Sequence, residues 1–261
     1  MTKDSLGDRI KGYEIAARTV LPRRLPVILR VDGKAFHTYT RGLERPFCAA
    51  LCLAMDRVAI DLCEEIQGAQ FAYVQSDEIS VLIHGYKRFS SEPWFANEVQ
   101  KMASVAASVA AARMTDESRG VFDQSRLAHF DARVFVLPEA DVCNYFIWRQ
   151  QDAIRNSIQM LARSLYSHKE CDLKNTVELQ AMCRAKGSEW TALPADKRQG
   201  RCVVREFYEA PIAGWAPGDP EPALRSRWAV DNDVPVFTED RAYVEKYLAT
   251  VDETKEAEAA Q

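Results

Sequence analysis

The chain has 261 residues, 47% hydrophobic and 28% charged, enough to bury a sizeable core in one large domain or two small ones. No apolar run reaches the ~18 residues of a membrane span, and the N-terminus MTKDSLGDRIKGYE carries no secretory signal, so the cytoplasm is the expected compartment and no membrane partner is expected. The net charge of −4 does not announce a nucleic-acid binder, but local patches rather than the sum set binding.

In chain order, residues 25–31 (LPVILRV) read as a buried strand ending at Asp32-Gly33. Residues 46–67 read as a helix with Pro46 in its first turn and Leu51, Met55, Val58, Leu62 and Ile66 at spacings of three and four. Two short strands follow in AYVQSDEISVLIHGY (72–86), broken by Gln75-Ser76-Asp77-Glu78. Residues 92–114 are an amphipathic helix with Phe95, Val99, Met102, Ala106 and Val109 on one face. HFDARVFVLP (129–138) alternates like a half-buried strand. A long helix over 140–166 carries Tyr145, Trp148, Ile154, Ile158 and Leu161, with Trp148 assigned to the core. A shorter helix covers 176–185 and closes near Gly187. Residues 201–237 are strand-like pieces broken by the loop PGDPEPA (217–223), and the tail from Asp252 is polar. The seven cysteines form no CxxC pair and the four histidines lack zinc-ligand spacing, which argues against disulfides and structural zinc.

Strand, helix, strand, strand, helix, strand is the split βαβ order, so the expected fold is α+β: a ferredoxin-like, palm-type core with an antiparallel sheet and helices on one face. Residues 1–138 form this catalytic core, and 139–261 form a helical and mixed extension packed on it as one continuous domain. In that topology the end of the first strand, carrying Asp32, faces the hairpin turn carrying Asp77 and Glu78. Taken singly, Asp-Gly and Ser-Asp-Glu are ordinary turn chemistry. Taken together, acids converging in an apolar setting call for neutralisation, and a hard divalent cation such as Mg²⁺ does so with few carboxylates. Gly33 permits close backbone approach, while Lys34 and His37 add groups suited to a triphosphate. Two such ions bridged by carboxylates suit phosphoryl or nucleotidyl transfer, and the pattern alone does not separate a polymerase from a nucleotide cyclase.

LRVDGKAFHTYTRGLERPF (29–47), AYVQSDEISVLI (72–83), FDARVFVLP (130–138) and YFIWRQQDAIRNSI (145–158) resemble, in order and spacing, the tRNA(His) guanylyltransferase family. The resemblance implies a polymerase-like palm in a homotetramer that adds nucleotides to the 5′ end of tRNA in the 3′–5′ direction. It implies two Mg²⁺ ions, with ATP activating a 5′-monophosphate and GTP supplying the attacking 3′-hydroxyl. Asp32 and Asp77 look like the metal-binding carboxylates, the Gly33 carbonyl like a further ligand, and Glu78 completes the catalytic acids. Lys34, Ala35, Phe36 and His37 look like the loop around the nucleotide, with Ser76, Arg45 and Lys101 near a triphosphate. Arg133, Arg149, Arg155, Asn156, Lys186, Lys197 and Arg198 are the candidate RNA contacts, with Arg149 and Arg155 evenly placed between that role and salt bridging.

Two positions depart from the family. Cys48 stands where an acid is usual, and Ile154-Arg155-Asn156-Ser157 replaces the eukaryotic His-Ile-Asn-Asn, keeping only Asn156. The second departure resembles the bacterial and archaeal branch, which implies templated repair of 5′-truncated tRNA. The alternatives are strict addition of G to tRNA(His), a palm-fold cyclase or dinucleotide-forming enzyme, and a non-catalytic RNA-binding relative.

Overall fold

The computed structural model describes residues 5–85, 91–122, 126–210 and 223–248. Tyr86, all but the last residue of the PGDPEPA loop and the tail from Asp252 lie outside the described residues. The elements are α1 (Leu6–Ala16), β1 (Val27–Gly33), α2 (Phe36–Tyr39), α3 (Ala49–Glu65), β2 (Ala69–Gln75), β3 (Glu78–Ile83), α4 (Val99–Glu117) and β4 (Phe130–Val136). They continue with α5 (Glu139–Leu165), α6 (His168–Cys171), α7 (Thr176–Ala185), α8 (Ala195–Gln199), β5 (Arg201–Ala210), β6 (Ala223–Asp231) and α9 (Ala242–Glu245).

The strands form one antiparallel sheet in the order β4-β1-β3-β2-β5-β6. Its first four strands have the split βαβ arrangement that the element order predicts. Successive side chains leave opposite faces, so each central strand feeds two cores. Val27, Leu29, Val31, Val74, Ile79 and Val81 pack with Met55, Val58 and Leu62 of α3 and Met102, Ala106 and Met114 of α4. Ile28, Phe71, Tyr73 and Leu82 pack on the other face with Phe146 of α5 and with Val234, Phe237 and Val244. This double burial is why LPVILRV is apolar nearly throughout. The helices of the βαββαβ core thus share one face, and the C-terminal extension closes the other.

Two helix starts move: α3 begins at Ala49, so Pro46 lies ahead of the helix and not in its first turn, and α4 also starts later than its spacing predicts. Helix α4 begins at Val99 rather than near residue 92, because Phe95, Ala96 and Asn97 take left-handed angles of 48, 52 and 61°. That turn is pinned by Asn97, whose carbonyl accepts from the Leu21 amide at 3.0 Å and whose Nδ2 donates to the Leu21 and Pro22 carbonyls. Strands β5 and β6 add a ribbon to the sheet, but β5 pairs with β2 only through Val203, Cys202 and Arg201. The junction is fixed by a buried ion pair between Arg201 and Asp56 of α3, and by Arg201 Nη2 donating to the Cys52 carbonyl at 2.9 Å.

One residue of α5 lies on the opposite side from the core position that its spacing predicts. Tyr145, Ile158 and Leu161 are buried and Ile154 is partly so, whereas Trp148 is 49% exposed. A helix of 27 residues that crosses the sheet and then runs past it turns different faces inward along its length, so one periodic stripe does not describe it. The C-terminal half of α5 packs on α7 through Ile158, Leu161, Ala162, Leu179 and Cys183. All seven cysteines are free, and five of them are buried, as expected of small apolar side chains. No helix among the described residues is long and apolar enough to cross a membrane.

Candidate active site

The bend between β2 and β3 falls at Ser76-Asp77: Gln75 is the last residue of β2, Glu78 the first of β3, and Ser76 takes a left-handed φ of 48°. The Gly33 amide donates to the Asp77 carbonyl at 3.0 Å, and the Lys34 amide to the His129 carbonyl at 2.8 Å. The ends of β1, the hairpin and the residue before β4 are thereby locked together. Gly33 has no room for a side chain, since a Cβ would lie 2.6 Å from Cγ of Phe36. The Phe36 ring itself is buried against Tyr39 and Phe130, which anchors residues 34–37 beneath the site.

Across the sheet, Asp131, Asp32 and Glu78 stand directly opposite one another. Directly opposed residues share a face, so one row carries three carboxylates on the side covered by α5. Burial, then the Asp131 charge, pushes the Asp32 carboxyl up, against the opposing pull of Arg30, Arg133 and Arg149. Burial also raises Asp77, as does Asp32, while a hydrogen bond to Ser76 and the charge of His37 lower it. Asp131 is the acid that the sequence reading misses. The signal lies in FDARVFV: a strand antiparallel to β1 with its acid at the matching end sets that acid beside Asp32.

Glu78, expected among the catalytic acids, is tied into a buried ion pair. Its Oε1 accepts from Arg149 Nε at 2.8 Å, with side-chain exposures of 9% and 6%. Arg149 Nη2 then reaches Asp152 at 2.8 Å, and Asp152 binds Arg155 at 2.6 Å. Burial raises the Glu78 carboxyl, with Arg149 and Arg30 opposing. Glu78 therefore anchors the hairpin to α5, and Arg149 is enclosed within that pair instead of being available to RNA.

Among the described residues neither Asp32 nor Asp77 has such a fixed cationic partner. A divalent cation between them would offset both burial and mutual repulsion. Among the described residues no group of three or more His, Cys, Asp or Glu side chains is placed to hold a metal ion by itself. An open donor set of two carboxylates and backbone oxygen fits Mg²⁺, which keeps other positions for water and phosphate.

Comparisons with known proteins identify the family. The family model of tRNAHis guanylyltransferase (Thg1) matches residues 7–138, the segment that builds the whole site up to β4. The chain belongs to the tRNAHis guanylyltransferase family. Its fold superimposes on a bacterial tRNA(His) guanylyltransferase-like protein in complex with ATP, with a TM-score of 0.84 at 43% identity, covering 94% of this chain and 99% of that one. A bacterial protein of the same description in complex with GTP gives a TM-score of 0.78 at 41% identity, with coverages of 95% and 100%. The tRNA(His) guanylyltransferase 2 of Arabidopsis thaliana is 28% identical over 218 residues, 76% of this chain and 38% of that longer protein. Members of this family are nucleotidyltransferases, so the enzyme class follows.

Other expected guanylyltransferase-site residues separate into those brought to the hairpin and those left elsewhere. Lys34, Ala35 and His37 are exposed next to Asp32, with Ala35 left-handed at φ 54°. Arg45 is exposed ahead of α3. A small cavity of about 70 Å³ joins Ser76 to Cys48, Asn156 and Lys197, so these meet beside the hairpin. Lys197 is held there by Asp196 at 2.9 Å. Lys101 is a correction: it lies in the first turn of α4, over the Phe95 ring, at the Val27 end of the sheet and opposite the acids within this chain. Arg133 is exposed, 3.8 Å from Asp131. Arg155 is exposed but salt-bridged to Asp152, Lys186 lies over Tyr166, and Arg198 donates to the Leu193 carbonyl beside Trp190.

Proposed function

We propose that this chain is a Mg²⁺-dependent 3′–5′ nucleotidyltransferase that extends the 5′ end of tRNA against a template strand, using ATP and GTP. The observation that carries the reading is the meeting of Asp32 and Asp77, locked by the Gly33–Asp77 hydrogen bond, with both carboxyls raised by burial. The two bacterial relatives described as ATP and GTP complexes support nucleotide binding here. Asp32 and Asp77, with the Gly33 carbonyl, would hold the metal, which when bound lowers the pKa of an attacking hydroxyl and offsets triphosphate charge. The chain's own part is positioning. The Arg149–Glu78 pair holds the hairpin, Phe36 holds the 34–37 loop, and Lys34 and His37 offer positive or hydrogen-bonding groups to phosphates. Substitution at phosphorus depends mainly on such alignment and charge neutralisation.

Template dependence is supported by residues 154–157. Ile154 packs in the α5–α7 cluster. The Ser157 hydroxyl is taken up by the Ile154 and Arg198 carbonyls and by Trp190 Nε1. Neither side chain is free to orient an incoming base, so pairing with the opposite strand supplies that orientation. The same reading makes the working particle a cytoplasmic homotetramer, which light scattering tests for assembly. The deciding experiment offers a 5′-truncated tRNA and a full-length tRNA(His) to one preparation with each nucleoside triphosphate. The truncated RNA should regain the base complementary to its partner, with addition of G opposite A much slower. Equal rates would overturn the template reading, and a product from nucleotides alone would point to a cyclase.

A further inference from the structure

Trp148, exposed to 49%, is not a loose side chain. The Arg149 guanidinium lies over its ring, 4.2 Å from the centroid, and the Tyr145 ring meets it at 5.9 Å and 64°. Both neighbours are fixed in turn. Tyr145 shares a hydrogen bond with Ser80 of β3 at 2.8 Å, and Arg149 is spent on Glu78 and Asp152. The indole is therefore held in place one guanidinium away from Glu78, which adjoins Asp77 and stands opposite Asp32. On the same sheet face, one row further in, Arg30 and Arg133 oppose each other and supply positive charge. A preoriented, half-open aromatic ring beside cations is the arrangement that binds nucleobases by stacking while phosphates meet the charge.

We propose that Trp148 is a stacking surface for a nucleobase of the substrate, setting its distance from Asp32 and Asp77. The inference rests on the nucleotidyltransferase reading above and adds a recognition residue to it. A base from either an incoming nucleotide or the RNA terminus presents the same flat π surface, so the test has an arm for each.

The difference in emission between the wild-type protein and Trp148→Phe isolates the signal of residue 148 from the remaining tryptophans. GTP or ATP alone forms one arm, and 5′-monophosphorylated truncated tRNA alone forms the other; neither mixture turns over. At least one arm should quench the residue-148 signal, and the responding arm names the source of the base. For that ligand Trp148→Ala should weaken binding roughly tenfold or more, while Trp148→Phe, which keeps a ring, stays within about threefold. In turnover, Trp148→Ala should raise KM more than it lowers kcat. The proposal is overturned if neither arm quenches the signal, or if Trp148→Ala binds both ligands as tightly as wild type. A signal that follows protein concentration instead of ligand would identify a subunit contact and overturn it equally. Quenching is read without catalysis, so an enzyme that adds no nucleotide to any tRNA would refute the reaction and leave this measurement standing.

Discussion

Replacing Arg149 with methionine tests the ion pair that ties the candidate catalytic hairpin to α5. The side chains of Arg149 and Glu78 are 6% and 9% exposed, so solvent screens their attraction little. Removing the guanidinium leaves the Glu78 carboxylate buried without its partner, which costs about 3–5 kcal/mol. The second bond, to Asp152, adds at most ~1 kcal/mol, because Asp152 is 29% exposed and keeps Arg155. At about 2–4 °C per kcal/mol for a chain of this size, Arg149→Met should melt roughly 6–24 °C below wild type. Glu78→Gln in the same chain removes the stranded charge, so the double variant should recover part of the loss. Urea and thermal unfolding followed by circular dichroism on the four proteins give the coupling, which should reach ~1–3 kcal/mol. A single variant within about 0.5 kcal/mol of wild type, or a double variant whose loss equals the sum of the singles, would refute a desolvated, coupled pair.

Asp32, Asp77 and Glu78 all have carboxyls raised above their ordinary values of 3.8, 3.8 and 4.5. Folded groups that hold protons more tightly favour the folded state at low pH, so the metal-free protein should lose this contribution as pH rises through their folded values. Mg²⁺ should then raise the melting temperature near pH 7.5 far more than near pH 4.5, and Asp32→Asn or Asp77→Asn should remove that response; an undiminished shift in both variants would count against the metal site. Gly33→Ala should abolish nucleotide addition and destabilise by about 1–3 kcal/mol, because the new Cβ collides with the Phe36 ring that anchors the 34–37 loop. Activity close to wild type would show that this loop does not depend on the close packing at Gly33.

The order of elements in the core was legible in the sequence because it rests on local periods. Alternation in 72–83 and 129–138, and three-and-four spacing in 46–67, follow from backbone geometry within a few residues. The bend at Ser76-Asp77 and the closeness of Asp32 to Asp77 followed from topology, once the strand order was read. What remained hidden depends on contacts between distant segments. The register of β4 against β1 sets Asp131 beside Asp32, and no local pattern carries that alignment. The passage of α5 across the sheet decides that Arg149 turns inward to Glu78 while its neighbour Trp148 turns out. The left-handed turn at Phe95-Asn97 is held by Leu21 and Pro22, more than seventy positions earlier in the chain, and it moves the start of α4 and with it Lys101. Local sequence thus determines which strands and helices exist and which acids stand at their ends. Tertiary packing decides which charges are neutralised inside the protein and which are left to meet a ligand, because burial and counter-charge come from elements far away along the chain.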